Sequence, residues 1–179
     1  MKKDYRLVKR YARALYKEAG EKTGRAIRDL SQFYEFIKTN RLMKSLFSNP
    51  FFKDEERVSV LGAICDQVEF YEKTGRFMRG LIKNRHLSLL PEIIDALIKI
   101  YYEANNIARV IVITPIKLDM QAEERLKESL KVRLGRDVVL DYRIDTTVIG
   151  GLKVQVENTV LDTTIKGELG LLKASLLRG

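Results

Sequence analysis

The sequence has few of the residues that build covalent or metal-dependent chemistry. Its 179 residues include one cysteine, Cys65, one histidine, His86, three prolines and no tryptophan. A single cysteine excludes an intramolecular disulfide, which favours a reducing, cytoplasmic setting. A single histidine excludes a histidine cluster for zinc. We expect both residues to be structural, and a reactive pair of Cys65 and His86 is the alternative.

Long apolar segments are also missing. The most apolar stretch, residues 87–102, is interrupted by Glu92, Asp95 and Lys99. It therefore falls short of the roughly 20 apolar residues that a membrane-spanning helix needs. Charged residues near the N-terminus stand where a secretory signal would have its apolar segment, so we expect no such signal. Any contact with a membrane should be peripheral.

Glycine-rich loops that bind phosphate are absent from the sequence. No G-x-x-x-x-G-K-[ST] segment occurs, and the one adjacent pair of glycines, Gly150 and Gly151, lies between two alternating segments. We predict a turn with positive φ at this pair, and a phosphate loop is the alternative. The acidic residues show no pattern typical of a metal or glycosidase site. We therefore expect that the protein is not an enzyme and has no catalytic residue, no metal and no cofactor.

Basic residues, by contrast, are in excess and unevenly distributed. The chain has 33 Lys and Arg against 24 Asp and Glu, a net charge of +9, and residues 1–45 carry +8 of that excess. A charge of this sign suits nucleic acid, an anionic membrane or an acidic protein partner. In the first predicted helix the basic side chains either meet such a partner or are simply solvated. These side chains are Lys9, Arg10, Arg13 and Lys17.

The first 105 residues have the apolar spacing of amphipathic helices. Apolar residues recur every three or four positions in six segments, which predicts six helices. The sixth helix should begin near Ser88, a good N-cap, with Pro91 in its first turn. The connections between the helices are short, which predicts a compact six-helix bundle over residues 1–105.

The pattern changes to strands after residue 105. A β-branched run covers residues 107–114, and Asp119 can cap a following helix. Strict alternation over residues 138–145 and again after the glycine pair predicts half-buried strands, and a final helix should begin near Thr164. The predicted fold class is α+β, with an N-terminal six-helix bundle followed by a small C-terminal α+β domain over residues 106–179.

Several segments together resemble one known family. Residues 138–157, VVLDYRIDTTVIGGLKVQVE, and residues 160–169, VLDTTIKGEL, are similar to the C-terminal signature of the ATP synthase delta subunit family. This family is related to the mitochondrial oligomycin-sensitivity-conferring protein. Shorter matches are RYARALY at residues 10–16, SNP at 48–50 and LIKNRHL at 81–87. The resemblance covers essentially the whole chain.

The resemblance implies a function. Such a subunit is a non-catalytic stator of an F-type ATP synthase, which links the alpha/beta catalytic head to the b-subunit peripheral stalk and resists torque during proton-driven ATP synthesis. Its N-terminal bundle would bind N-terminal segments of the alpha subunit, and its C-terminal domain would bind b subunits. The resemblance also implies no cofactor, no nucleic acid partner and a peripheral place on the cytoplasmic face of a bacterial inner membrane. A basic helical nucleic-acid-binding protein is the alternative.

A groove between the first and fifth helices is the candidate partner-binding site. An amphipathic partner helix can lay its apolar face in such a groove. The candidate residues are Val8, Tyr11, Ala12 and Leu15 in the first helix and Phe77, Met78 and Leu81 in the fifth. The alternative is that they fill the bundle core, above all Ala12 and Leu15, whereas the hydroxyl of Tyr11 suits a rim. The stalk contact should fall near the final helix, residues 168–177.

Overall fold

A computed structural model describes residues 5–49, 51–116, 118–156, 159–165 and 167. The chain forms two compact units that divide between Tyr101 and Tyr102. The described residues contain seven α-helices and four strands, with the helices concentrated before the division and the strands after it. The predicted α+β class, with a helical N-terminal part and a sheet in the C-terminal part, is therefore confirmed.

Six of the helices lie between Tyr5 and Ala104, as the apolar spacing predicts. They are α1 (Tyr5–Ala19), α2 (Thr23–Thr39), α3 (Arg41–Ser48), α4 (Asp54–Val68), α5 (Glu72–Lys83) and α6 (Leu90–Ala104). Their shared core is built from apolar side chains that repeat every three or four residues, among them Phe33, Leu61 and Leu97. The edge of the Phe33 ring packs on Phe47, with ring centroids 5.6 Å apart.

Residues at the helix starts show which of the predicted N-terminal signals the structure uses. The Asn40 side chain accepts hydrogen bonds from the backbone N–H groups of Leu42 and Met43, which starts α3. Pro91 lies in the first turn of α6, as predicted. The prediction that Ser88 caps α6 is wrong, because residues 87–89 form a separate 3-10 turn and the helix begins after it.

The C-terminal unit contains a four-stranded sheet and one described helix that packs on it. The elements are β1 (Ile107–Thr114), α7 (Met120–Leu134), β2 (Asp137–Ile144), β3 (Lys153–Val156) and β4 (Thr159–Asp162), and the strand order is β2-β1-β3-β4. β1 and β2 are parallel because α7 connects them as a crossover, whereas β1 with β3 and β3 with β4 are antiparallel. The Asp119 carboxylate accepts the N–H of Ala122 at 2.7 Å, which confirms the predicted N-cap of α7.

The glycine pair has the predicted backbone conformation. Gly150 has φ +71° and Gly151 has φ +77°, so the prediction of a turn with positive φ is confirmed. A Cβ atom on Gly151 would overlap the carbonyl oxygen of Thr163. The turn therefore requires glycine for its dihedral angles and for its space. The predicted final helix lies largely in residues 168–179, outside the described residues.

Candidate partner-binding face

Helices α1 and α5 are in contact, and together they carry all seven predicted binding residues. Five of the seven are buried in the core of the N-terminal unit: Val8, Ala12 and Leu15 of α1 and Met78 and Leu81 of α5. These five side chains hold the two helices together. Tyr11 and Phe77 are half-buried, so they are the two predicted residues with accessible surface.

Tyr11 lies at the centre of a small aromatic cluster. Its ring meets Phe77 edge to face, with centroids 5.9 Å apart, and meets His86 in the same way at 5.7 Å. The Tyr11 hydroxyl is also hydrogen-bonded to Nδ1 of His86 at 2.9 Å. The three rings thus form one surface in which the orientation of Tyr11 is fixed from two sides.

His86 is held in place by the way α5 ends. Arg85 has a left-handed backbone with φ +58°, and its N–H donates to the Ile82 carbonyl at 2.9 Å. The next N–H, that of His86, donates to the Leu81 carbonyl at 2.8 Å. These two bonds form a Schellman motif, which folds the chain back onto the last turn of α5.

Sequence reasoning did not place His86 in this face. Seventy-five positions separate it from Tyr11. Helical spacing reports neighbours three or four residues apart and contains no signal for such a pair. In the structure His86 contacts the candidate face through Tyr11. Cys65 lies half-buried elsewhere in the same unit, where desolvation raises the pKa of its thiol.

The α1 helix has a basic outer surface. Five basic side chains, Arg6, Lys9, Arg10, Arg13 and Lys17, are exposed on it, and its first turn contains no acidic residue. On α5 the exposed Arg76 pairs with Glu72 at 2.7 Å and approaches Glu18 of α1 at 3.9 Å. Exposed pairs of this kind contribute little to stability. An apolar and aromatic strip with positive charge around it suits an amphipathic helix that carries carboxylates.

The C-terminal unit has exposed aliphatic side chains, and two of them lie at the glycine turn. Ile144 ends β2, Ile149 precedes the glycine pair, and Ile165 contacts the position that a Gly150 side chain would take. All three are more than half exposed. Exposed aliphatic residues that lie together, as Ile149 and Ile165 do at the glycine turn, are typical of a protein-binding surface. The stalk contact predicted for residues 168–177 lies outside the described residues.

Two Asp-Thr-Thr segments frame this turn. The Asp145 carboxylate accepts hydrogen bonds from the hydroxyl and N–H of Thr147, and these bonds lower the pKa of Asp145. Asp162 has the same arrangement with Thr164, whose hydroxyl bond is the largest cause of its lowered pKa. Both carboxylates are thereby engaged in ordering loops. Among the described residues, no group of three potential ligands gathers for a metal, and no helix is long and apolar enough to cross a membrane.

Comparison with known proteins gives one consistent result. Residues 7–176 match the sequence profile of the family described as ATP synthase delta (OSCP) subunit. The ATP synthase subunit delta of Chelativorans sp. (strain BNC1) is 32% identical over 169 residues, which cover 93% of this chain and 91% of that protein. The protein of the same name from Brucella anthropi is 30% identical, with coverage of 95% and 92%.

The fold also has a close counterpart among solved structures. A chain in the cryo-EM structure of the Toxoplasma gondii mitochondrial ATP synthase hexamer superposes with a TM-score of 0.67. The superposition covers 96% of this chain and 97% of that chain, at 21% sequence identity. At this level of identity the likeness concerns the fold alone.

Proposed function

The chain belongs to the ATP synthase delta (OSCP) subunit family, and we propose that it clamps the catalytic head of an F-type ATP synthase to its peripheral stalk. Membership in this family makes it a non-catalytic, structural subunit of ATP synthase. The clamp resists the torque that proton-driven rotation exerts on the head. It works peripherally, at the cytoplasmic face of a bacterial inner membrane.

The N-terminal unit, as a six-helix bundle over about residues 1–105, binds N-terminal segments of the alpha subunit. The observation that carries this proposal is the half-buried pair of Tyr11 and Phe77, which forms an accessible aromatic strip where α1 meets α5. Aromatic residues that are rigidly supported are typical anchors of protein interfaces. Ala12 and Leu15 of α1 are fully buried in the core of the unit.

The basic surface of α1 supports an acidic partner segment. Five exposed cations on one helix create a positive potential that steers and orients carboxylates. This contribution is electrostatic and is screened by salt, whereas burial of the aromatic strip is not. The comparisons with known proteins favour such a protein partner over the alternative of nucleic acid.

The C-terminal unit, over about residues 106–179, binds the b subunits. Support comes from the exposed Ile149 and Ile165 at the glycine turn and from the exposed Ile144 at the end of β2, which offer aliphatic surface to a helical partner. The following residues, 168–179, contain five leucines within twelve positions, a composition that suits contact with an apolar helix face. A clamp needs separate binding surfaces for head and stalk, and the two units supply one each.

The head contact is tested by titrating the chain onto catalytic heads that lack it. Tyr11→Ala should weaken binding by about 2 kcal/mol, or roughly thirtyfold, because it removes the central anchor of the strip. Tyr5→Ala is the matched control, since Tyr5 lies on the same helix and is 73% exposed. Equal affinities for the two variants would contradict the proposed face.

A salt titration separates the two contributions to this binding. Raising the ionic strength from roughly 0.05 M to 0.5 M shortens the screening length severalfold and should weaken binding of the wild-type chain. Arg13→Ala should reduce that salt dependence and leave the residual high-salt affinity almost unchanged. If the affinity for the head does not change with salt concentration, the basic surface is solvated and does not contribute to binding.

A further inference from the structure

A groove lies on the N-terminal unit, between α2, α3, the start of α4 and the 84–91 connection. It has a volume of about 550 Å³, within the range of roughly 300–1,000 Å³ typical of binding pockets. Its apolar walls include Phe47, Phe52, Ile82 and Leu90. The seven predicted binding residues of helices α1 and α5 form the α1/α5 face. None of them lines the groove, so the proposed head contact leaves it unused.

The groove combines a buried floor with an exposed aromatic lip. Phe47, Ile82 and Leu90 are buried, and they form part of the core of the unit. Phe52, by contrast, is 38% exposed and stands at the mouth. A rigid apolar floor with an accessible aromatic edge can take up apolar side chains without reorganising the fold.

The charges on the groove are unbalanced towards positive. Arg57 is immobilised by three bonds, to the carbonyls of Leu46 and Asn49 and to the Asp54 carboxylate. Asp54 is also 3.5 Å from Nε of Arg85, so the one acidic residue in the lining already faces two arginines. Lys44 and Arg85 remain exposed at the mouth, and the Arg85 side chain is 80% accessible.

From this geometry we propose that the groove is a docking site for an acidic, apolar segment of another protein chain. Apolar side chains of the segment fill the space above Phe47 and Leu90, and its carboxylates lie against Lys44 and Arg85. The charge excess selects for acidic residues, since Lys44, Arg57 and Arg85 line the groove against the single carboxylate of Asp54. The open shape of the groove fits an extended or helical peptide.

The groove and the α1/α5 face share no lining residue. Two adjacent residues of the chain nevertheless link them. Arg85 lines the groove, and the adjacent His86 is bonded to Tyr11. The Schellman motif fixes both residues on the end of α5. One rigid turn therefore supports two separate binding surfaces on the N-terminal unit.

The proposal is tested by site-specific photo-cross-linking of the full chain in cells. A benzophenone side chain is introduced at Phe52, or at Phe51 as the matched control, because Phe51 is 93% exposed and does not line the groove. Peptides joined to the probe are then sequenced. We expect the Phe52 probe to capture a segment of another chain in which Asp or Glu residues flank apolar residues, and the Phe51 probe to capture it far less.

Charge reversal supplies the second part of the test. Lys44→Glu combined with Arg85→Glu should lower the yield of this product about tenfold, whereas Lys38→Glu, on an exposed part of α2, should not change it. Capture of a segment without carboxylates, capture within this chain, no capture at Phe52, or a yield insensitive to charge reversal would each overturn the proposal. If Tyr11→Ala weakens binding of the catalytic head, the cross-linking results at Phe52 should stay the same. The two proposals therefore fail separately.

Discussion

Tyr11→Phe removes one oxygen atom from the α1/α5 face and leaves its ring in place. The lost group is the hydroxyl that lies 2.9 Å from Nδ1 of His86. Both edge-to-face contacts of the ring, with Phe77 and with His86, remain available. The change therefore isolates the hydrogen bond that orients Tyr11.

The expected magnitude follows from the half-buried position of the pair. A neutral hydrogen bond contributes about 0.5–1.5 kcal/mol, and partial access of water favours the middle of that range. Each single change, Tyr11→Phe or His86→Phe, leaves the other polar group without its partner, whereas the double change removes both groups. We expect the double change to cost about 1 kcal/mol less than the sum of the single changes.

The assay is urea unfolding of the full chain, followed by circular dichroism at 222 nm, which reports mainly the helices of the N-terminal unit. The four proteins of the cycle should have equal dependence on urea and different midpoints. A coupling of about 1 kcal/mol also corresponds to a shift of about 4–8 °C in the melting temperature of a unit of this size. Additivity within about 0.3 kcal/mol would refute the view that the bond to His86 holds Tyr11 in position.

Three further predictions concern stability. Leu15→Ala should destabilise the N-terminal unit by about 2–5 kcal/mol because Leu15 is fully buried. Leu42→Ala, at a position 75% exposed, should cost less than about 0.5 kcal/mol. Chemical denaturation measures both changes in the free energy of unfolding. Gly151→Ala should destabilise the C-terminal unit more than Gly135→Ala does, since both glycines have positive φ but only Gly151 lacks space for a Cβ; equal losses would contradict the close approach of Thr163. The lowered pKa of Asp145 means that its ionised form stabilises the fold above about pH 4, and that this stability is lost as the pH falls through the lowered pKa. Thr147→Val should raise the pKa of Asp145, which a carboxyl NMR titration measures. An unchanged pKa would refute the role of Thr147.

The helices and strands could be predicted because their signals are local. Apolar residues repeat every three or four positions through α1, and apolar and polar residues alternate from Leu140 to Ile144 in β2, so each element is visible within its own segment. The cap of α7 at Asp119 and the turn at Gly150 follow from the chemistry of single residues. The prediction that Ser88 caps α6 failed because a good capping residue is also compatible with the 3-10 turn that precedes α6.

Contacts between distant segments could not be predicted in the same way. The bond between Tyr11 and His86 depends on how α5 ends, and Arg85 adopts a left-handed conformation that more often marks glycine. The strand order β2-β1-β3-β4 places β1 between two strands that follow each other in sequence, and alternation within one strand carries no information on its neighbours. The burial of Met78 and Leu81 beneath Phe77 likewise emerges from the packing of α5 against α1.

The role as a clamp is tested by ATP-driven proton pumping in membranes that have been stripped of this chain and of the catalytic head. Adding back the head with the full chain should restore head binding and pumping together. Adding it with Tyr11→Ala at the same concentration should restore clearly less of both, while Tyr5→Ala should match the wild-type chain. Pumping that is equally strong without the chain, or absent despite its presence, would contradict the assignment of this protein as the link between head and stalk.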